Sequence, residues 1–363
     1  MKEINLDQLT SRLAQRVRRS PQIISAMIEL TYGCNLRCVH CYNPTHQARN
    51  ELSTGQVLKI LDALQAQGCF RIGFTGGEFL TRKDALEIIR YAKKLGFVVQ
   101  LLTNATLVTA PIADQIKALS PASVDISVYG ATKETYEKVT GVPGSFKKFV
   151  TGVDLLCKRN VTMMLKLVLM TLNVHELDLM KRFARERRLR YQFSTQIHPK
   201  VDGSQSPLAY RLAVEQAFAI WRQEAVDPWI RSEQGVKWME ANGGEEECGG
   251  GKGLFPCACG KNRAAITPHG KLNLCLSVYE PRYDLTRGSL KEGWQTLVAM
   301  TAKARPGPEF ECLECPLTRY CGRVTGDGWL EHKKFDGPCL SHFREMAEQK
   351  KDFWVETQNR RET

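Results

Sequence analysis

The 363-residue sequence has no long apolar stretch, so it offers no segment that would cross a membrane as a helix. Residues 1–5 also lack the apolar region that a secretory signal peptide needs. We therefore expect a cytoplasmic protein without a membrane partner. The hydrophobic content of 43% and the charged content of 25% are those of a globular protein, and the length suffices for one large domain and a smaller one.

Acidic residues are the minority charge, because 39 Asp and Glu stand against 51 Lys and Arg, which leaves a formal net charge of +12. Such a balance suits an anionic partner, for example a nucleic acid or an acidic peptide. The most basic run, residues 181–190, is best explained as the solvated face of a helix, and no nucleic-acid-binding motif accompanies it. We therefore do not expect nucleic acid as a partner.

Cysteine, in contrast, is abundant: the thirteen residues indicate metal or redox sites rather than disulfides in a cytoplasmic protein. Three of them, Cys34, Cys38 and Cys41, lie within eight residues, directly after a predicted strand at residues 27–31. Thiolates bind iron–sulfur clusters, and three thiolates leave one iron of a [4Fe–4S] cube open. His40 lies between two of the ligands, and we do not expect it to turn back onto the same metal. The alternatives are a zinc knuckle or three buried thiols.

Strand and helix patterns alternate from the cysteine loop onward. Five further strands are predicted at residues 70–75, 97–103, 123–129, 161–171 and 191–195. Helices are predicted at residues 53–67, 82–95, 111–119, 133–139, 146–159 and 175–188. Ser53 or Thr54 would cap the first helix. Six strands that alternate with helices indicate an α/β fold whose sheet is parallel, with right-handed crossovers.

Two motifs at strand ends resemble those of the radical SAM superfamily: the CxxxCxxC spacing of Cys34, Cys38 and Cys41, and Thr75-Gly76-Gly77-Glu78 after the second strand. The resemblance extends from about residue 25 to about residue 345. It implies a partial (β/α)6 barrel whose chemistry lies at the C-terminal ends of the strands. It also implies that the amino and carboxylate groups of S-adenosylmethionine (SAM) chelate the open iron. One electron then cleaves SAM to methionine and a 5′-deoxyadenosyl radical.

The resemblance also implies which residues contact SAM. Gly76-Gly77 would approach the amino group of its methionine, and Glu78 ends the motif. Asn104 matches a polar contact near SAM, and Ser127 matches a residue that bonds the ribose or the carboxylate. Together with His40, these are the predicted cofactor-binding residues. A turn-forming Asn and a strand-end Ser are, however, common in any fold.

The sequence departs from the family at three places. Phe79 stands where Pro is frequent, Tyr129 replaces an Asp, and Thr140 replaces an Arg that can hold the SAM carboxylate. We therefore assign no such role to Thr140. Lys166, inside the fifth predicted strand, is a candidate substitute, although a lone Lys in a strand is more often a partnered core residue.

Eight cysteines follow residue 247, and their spacing resembles the SPASM extension of radical SAM enzymes, which binds one or two auxiliary iron–sulfur clusters. In this interpretation, Cys312, Cys315, Cys321 and Cys339 hold a closed [4Fe–4S] cluster. A four-cysteine zinc ribbon is the alternative on spacing alone.

Cys259 and Cys275 match the hairpin ligands of a further auxiliary cluster. A ligand that the family often supplies is missing, because residues 324–325 hold no cysteine. Cys257, Cys248, water or substrate would complete the site; alternatively, the centre is a [2Fe–2S] cluster or is absent.

These assignments divide the chain into five predicted segments. They are an N-terminal arm (1–22), a radical SAM barrel (23–200), a helical linker (201–248), a SPASM domain (249–345) and a C-terminal tail (346–363). The arm is too short for the winged-helix peptide-recognition module that some related enzymes carry.

The leading functional hypothesis is an enzyme that modifies a ribosomally made peptide or protein by hydrogen abstraction. The basic surface would suit an acidic leader peptide, and a thiol such as Cys248 would serve as a hydrogen donor. A second hypothesis keeps the chemistry but acts on haem precursors, on sulfatases or in cofactor assembly. A third is an iron–sulfur electron carrier or a zinc-stabilised binding protein. For either enzyme, we expect a flavodoxin- or ferredoxin-type electron donor and a peptide or small-molecule substrate.

Overall fold

The computed structural model describes residues 21–43, 45–226 and 253–362. These residues form nine strands: β1 Ser25–Glu29, β2 Arg71–Thr75, β3 Val98–Thr103, β4 Ser123–Val128, β5 Met163–Val168, β6 Arg190–Ser194, β7 Arg263–Ile266, β8 Lys271–Cys275 and β9 Val278–Asp284. They also form ten α-helices: α1 Thr54–Ala66, α2 Ala85–Lys94, α3 Ala110–Leu119, α4 Lys133–Thr140, α5 Ser145–Cys157, α6 Leu177–Glu186, α7 Val214–Trp221, α8 Leu290–Lys303, α9 Thr325–His332 and α10 Ser341–Glu362. Among the described helices, none is long and apolar enough to cross a membrane.

The nine strands form one sheet in the order β6-β5-β4-β3-β2-β1-β7-β8-β9. The first six pair in parallel, each beside its neighbour in sequence, and a helix follows each of β2 to β5. This arrangement confirms the predicted α/β fold with a partial (β/α)6 barrel. The first strand begins and ends two residues before its predicted bounds, so that Glu29 lies beside Thr75 at the end of β2.

Alternation along the strands gives the sheet an apolar face and a mixed face. Val99 and Leu101 in β3 are fully buried, as are Leu165 and Leu167 in β5. Side chains of a strand point alternately to opposite faces, so these residues share one face and form the core. Lys166, between the two leucines, lies on the other face and is partly exposed. The polar groups that line the interior of the barrel therefore come from the strand positions between the core residues.

The last three strands extend the barrel sheet. β7 pairs in parallel with β1, and β8 and β9 follow as antiparallel neighbours. These strands lie in the range predicted for the SPASM domain, which the sequence treats as separate from the barrel. The chain forms two compact units: the described residues up to Tyr210 together with Ala258–Lys303, and the described residues of 211–257 and 304–363. The five functional segments remain a prediction.

The predicted linker and tail differ from the structure in their local conformation. The linker (201–248) is predicted to be helical, whereas the structure has a 3-10 turn at Ser206–Tyr210, then α7 and a π-helical turn at Arg222–Val226, and residues 227–248 lie outside the described residues. The predicted tail lies in α10, which extends to Glu362. Within the second unit, this helix contributes Ala347 and Trp354 to a core with Leu317 and Tyr320.

Removing the Trp354 side chain tests whether α10 is part of the core of the second unit. Trp354 is 2% exposed, whereas its neighbour Val355 is 42% exposed. We expect Trp354→Ala to lower the free energy of unfolding by about 3–5 kcal/mol, because it leaves a cavity in a packed cluster. Val355→Ala should change it by less than about 0.5 kcal/mol. Urea denaturation of both variants measures the difference, and equal small effects would mean that the helix end is a tail.

Candidate functional site

The cysteine loop, residues 33–43, follows β1 at the C-terminal edge of the parallel strands. Its middle is fixed from outside: the backbone N–H groups of Arg37 and Val39 donate to the last two carbonyls of α4 at 2.8 and 3.0 Å. Leu36, directly before the first of these anchored residues, is buried, whereas all three cysteines of the loop are partly exposed. The loop therefore presents its thiols at the mouth of the barrel while its backbone is anchored to a helix.

The three thiols are close together in a poorly hydrated place. Burial raises the pKa of Cys34 to about 11 and raises those of Cys38 and Cys41 as well, and the negative charge of Cys41 adds to the rise at both other cysteines. A bound metal replaces the protons of such thiols. In the part of the chain that the structure describes, no three Cys, His, Asp or Glu side chains converge on a single metal ion. In an iron–sulfur cluster each thiolate binds a different iron, so this arrangement of thiols is compatible with an iron–sulfur cluster.

The Gly-Gly run after β2 packs directly against the start of the cysteine loop. Gly77 N donates to Thr31 O at 2.8 Å, and Glu78 N donates to Gly33 O at 2.9 Å. A Cβ on Gly77 would stand 2.4 Å from Gly33 O and 2.9 Å from Cys34 Cβ. Gly76 has a φ of 143°, which favours glycine. Both glycines are therefore required for the loop to sit where it does, in addition to their predicted approach to SAM.

The Glu78 carboxylate forms its hydrogen bonds with neighbouring protein groups. Its carboxylate accepts hydrogen bonds from the Thr103 hydroxyl at 2.9 Å, from Asn104 N at 2.7 Å and from Leu80 N at 3.2 Å. Burial raises its pKa to about 7. The side chain thus joins the ends of β2 and β3, and a direct contact of Glu78 with SAM stays a prediction.

Asn104 connects the end of β3 to the cysteine loop. Its Nδ2 donates to Asn35 Oδ1 at 3.1 Å, and Asn35 Nδ2 donates to the Thr106 hydroxyl at 2.7 Å. Thr106 in turn donates to Asn104 Oδ1 at 2.6 Å, which closes a small network. Asn35 is not among the residues predicted to be functional, although an amide directly after the first cysteine was a usable signal.

His40 and Ser127 both interact with Tyr129. The rings of His40 and Tyr129 have centroids 4.9 Å apart, and Ser127 shares a hydrogen bond with the Tyr129 hydroxyl. Burial lowers the pKa of His40 to about 4, so its ring is neutral, and its Nδ1 is buried without a hydrogen-bond partner. The ring packs on Tyr129, and the predicted role of His40 beside the cofactor stays a prediction.

A buried acid beside the loop was not predicted from the sequence. Glu29, at the end of β1, is 2% exposed, and its Oε2 accepts a hydrogen bond from the Tyr279 hydroxyl at 3.2 Å. Tyr279 also meets the Tyr32 hydroxyl at 3.2 Å. Burial raises the pKa of Glu29 to about 8, so the carboxyl is protonated at neutral pH. Tyr279 lies 250 residues away along the chain, so no local spacing pointed to this cluster.

Lys166 is engaged on the mixed face of the sheet. Its Nζ lies 3.2 Å from Asp125 Oδ2 and also donates to Gln192 on β6. Asp125 accepts a further hydrogen bond from Gln100 at 2.9 Å. The structure thus gives Lys166 the partnered role that the sequence analysis named as the ordinary alternative to binding the SAM carboxylate.

Four cysteines of the second unit share one cavity. Cys312, Cys315, Cys321 and Cys339 line it together with Arg323 and Arg344. Burial raises the pKa values of Cys312 and Cys321, and the charge of Cys339 adds to both. The donor set fits a four-thiolate cluster, and the cluster itself stays a prediction.

The predicted hairpin ligands Cys259 and Cys275 both lie in the first unit. Cys259 is buried just before β7, and Cys275 ends β8. Cys257, one proposed completing ligand, belongs to the second unit, where its thiol lies 3.4 Å from the Thr325 hydroxyl. Cys248, the other, lies outside the described residues. The completion of this site stays a prediction.

Comparison with known families agrees with the site. The family model described as Radical SAM superfamily matches residues 28–184, which include the cysteine loop and the Gly-Gly run. These residues match the radical SAM family model, and the predicted resemblance to that superfamily is confirmed.

Two curated relatives show how far sequence similarity extends. The AdoMet-dependent heme synthase of Methanosarcina barkeri is 33% identical over 160 residues, which are 44% of this chain and 46% of that protein. The mycofactocin maturase MftC of Mycobacterium tuberculosis is 34% identical over 152 residues, 41% of this chain and 39% of that protein. The chain thus matches less than half the length of either relative.

Likeness of fold extends over nearly the whole chain. Streptococcus suis SuiB bound to precursor peptide SuiA superposes with a TM-score of 0.64 at 14% identity, covering 94% of this chain and 82% of SuiB. Native anSMEcpe with bound AdoMet superposes with a TM-score of 0.68 at 15% identity, covering 92% of this chain and 99% of that one. The fold of the C-terminal part is therefore included in the likeness.

An alanine at Gly77 tests the close packing of the two motifs. We expect Gly77→Ala to displace the loop, at a cost of about 1–3 kcal/mol, because backbone atoms block the added methyl group. The bound iron and sulfide per chain should fall after anaerobic reconstitution. Gly55→Ala is the matched control, since a Cβ there meets nothing within 4 Å. Full iron content in Gly77→Ala would contradict the proposed role of the glycine.

Proposed function

We propose that this chain is a radical SAM enzyme that cleaves SAM reductively and modifies a substrate by hydrogen abstraction. The observation that carries the proposal is the loop of Cys34, Cys38 and Cys41, held against Gly76-Gly77. Inside this loop His40 is the one other residue of a metal-ligating type, and its ring packs on Tyr129. A [4Fe–4S] cluster on these thiolates would keep one iron available to SAM.

Polar atoms without partners around the loop support a bound polar ligand. Glu29 Oε1, His40 Nδ1 and Asn43 Oδ1 are buried and have no hydrogen-bond partner within the protein. Leaving such atoms unpaired is costly, and a native site usually pairs them with water or ligand. The amino, carboxylate and ribose groups of SAM are of the kind that would satisfy them.

Each group of residues around the loop would have a distinct role. When bound, the cluster supplies the electron that splits the sulfonium of SAM. Cys34, Cys38 and Cys41 would hold it, while Gly77 lets backbone approach the ligand closely. The neutral ring of His40 offers an apolar surface and one acceptor nitrogen, and Glu29 holds a proton at the barrel mouth. The protein therefore contributes binding, orientation and exclusion of water.

A ribosomally made peptide or protein is our first choice of substrate. The likeness of fold to SuiB, which binds the precursor peptide SuiA, and the sequence similarity to the maturase MftC favour it. Similarity to the AdoMet-dependent heme synthase favours a haem precursor as the second choice. Auxiliary clusters on Cys312, Cys315, Cys321 and Cys339, and in part on Cys259 and Cys275, would accept an electron from the substrate. A flavodoxin- or ferredoxin-type donor and a cytoplasmic location complete the proposal.

Anaerobic turnover tests the proposed chemistry. Protein with rebuilt clusters, incubated with SAM and dithionite, should release 5′-deoxyadenosine, and the C34A/C38A/C41A variant should release none because its electron donor is gone. Chromatography of the quenched reaction measures the nucleoside. A reconstituted protein that binds iron yet forms no 5′-deoxyadenosine would support the electron carrier instead. Zinc without sulfide would support the binding protein.

Substrate choice is tested separately. Candidate precursor peptides and iron-coproporphyrin are tested in parallel, each in deuterated form and with unlabelled SAM. Deuterium that appears in the released 5′-deoxyadenosine then reports hydrogen transfer from the substrate. If deuterium appears in 5′-deoxyadenosine with only one of the two classes, that class contains the substrate. Transfer from neither class would contradict both substrate proposals.

A further inference from the structure

A buried arginine, Arg323, lines the same cavity as Cys312, Cys315, Cys321 and Cys339. Arg323 is 7% exposed, and its Nη1 donates to Cys312 Sγ at 3.4 Å. Its Nη2 donates to Phe335 O at 3.1 Å, and the guanidinium lies 5.2 Å from the centroid of the Phe310 ring. These contacts hold the guanidinium in one orientation. Its Nε, in addition, is buried without a hydrogen-bond partner.

The charge of Arg323 needs a negative neighbour, because a buried cation is costly unless it is paired. Burial raises the pKa of Asp327 to about 6, although the nearby charge of Arg323 opposes that rise, and the Asp327 carboxylate already accepts a hydrogen bond from Val324 N at 2.8 Å. The Cys312 thiol, which accepts the hydrogen bond from Nη1 at 3.4 Å, is the other acidic group beside the guanidinium. The positive charge is therefore shared between one capping carboxylate and the thiols of the cavity.

We propose that Arg323 raises the reduction potential of a [4Fe–4S] cluster held by Cys312, Cys315, Cys321 and Cys339. This inference rests on the auxiliary cluster of the proposed function. Reduction by one electron adds one negative charge to a cluster. An N–H donor at a ligand sulfur and a fixed cation therefore stabilise the reduced form more than the oxidised form.

The consequence concerns the direction of electron flow. Four thiolates would leave no iron open, so this cluster has no position at which to bind substrate. A cluster that is more easily reduced suits an electron acceptor, which would take one electron from a substrate radical. Arg323 would thus be a tuning residue that acts through Cys312 and touches neither SAM nor substrate.

The same cavity supplies a matched control. Arg344 interacts with the Cys339 thiol and forms an ion pair with Glu311, but its side chain is 43% exposed. Water and the carboxylate screen its charge, so its effect on the cluster should be weak. The two arginines therefore share charge and proximity to a cysteine, and differ in burial.

Potentiometric titration of the full-length protein, followed by electron paramagnetic resonance and absorbance, tests the proposal. The wild type is compared with Arg323→Gln, Arg323→Lys and Arg344→Gln, and Cys312→Ala identifies which redox transition belongs to this cluster. We expect Arg323→Gln to shift that midpoint potential to a more negative value, with a smaller shift for Arg323→Lys, which keeps the charge. Arg344→Gln should shift it least, and the other transitions should stay in place.

Several outcomes would overturn the inference. An unchanged midpoint in Arg323→Gln, or an equal shift of every transition, would show that the arginine serves only Asp327 and the fold. If Arg323→Gln fails to hold the cluster, Arg323→Lys must still show the shift, and an unshifted Lys variant contradicts the proposal. If Cys312→Ala loses no iron and no transition, the auxiliary cluster itself is wrong, whereas the radical chemistry at Cys34, Cys38 and Cys41 is unaffected by that result.

Discussion

The site depends on the close packing of two backbone segments, residues 31–33 and Gly77-Glu78. Two hydrogen bonds of 2.8 and 2.9 Å join them, and no side chain fits between them because a Cβ on Gly77 would stand 2.4 Å from Gly33 O. This contact determines where the first cysteine emerges from β1. The parallel pairing of β1 with β2 brings the two segments to the same edge of the sheet, so the fold itself creates the contact. The position of the three thiols is thus a consequence of backbone geometry, and their chemistry follows from their spacing.

Buried polar networks then hold the loop in place. Glu78 joins β2 to the end of β3, Asn104 and Asn35 continue this connection to the cysteine loop, and the end of α4 holds the middle of the loop. Such networks are stable only when their members are satisfied, and these are. Buried atoms without a partner near the loop include those on Glu29, His40 and Asn43. The contrast separates the residues that build the site from those left open toward a ligand.

Local motifs made much of this predictable from the sequence. The six barrel strands, the Ser53 cap and the cysteine loop are encoded within short segments, so periodicity and spacing were enough. Contacts between distant segments were not predictable: Tyr279 reaches Glu29 from a hairpin, and β7 joins the barrel sheet beside β1 although its cysteine-rich surroundings suggested a separate domain. The sequence also predicts a tail at residues 346–363, because this polar stretch gives little sign that Trp354 is buried. Partners such as Asp125 for Lys166 are determined by register between strands, which the sequence does not state.

The central claim is that one iron at the barrel mouth has no protein ligand and binds SAM. Electron–nuclear double resonance on the reduced, anaerobic protein with SAM labelled by nitrogen-15 at its amino group tests this claim most directly. The account predicts a strong hyperfine coupling between the cluster and that nitrogen, which disappears when unlabelled SAM replaces it and is absent from the C34A/C38A/C41A variant. A reduced cluster in the presence of saturating SAM with no such coupling would contradict the account, because it would mean that a protein side chain occupies the fourth iron.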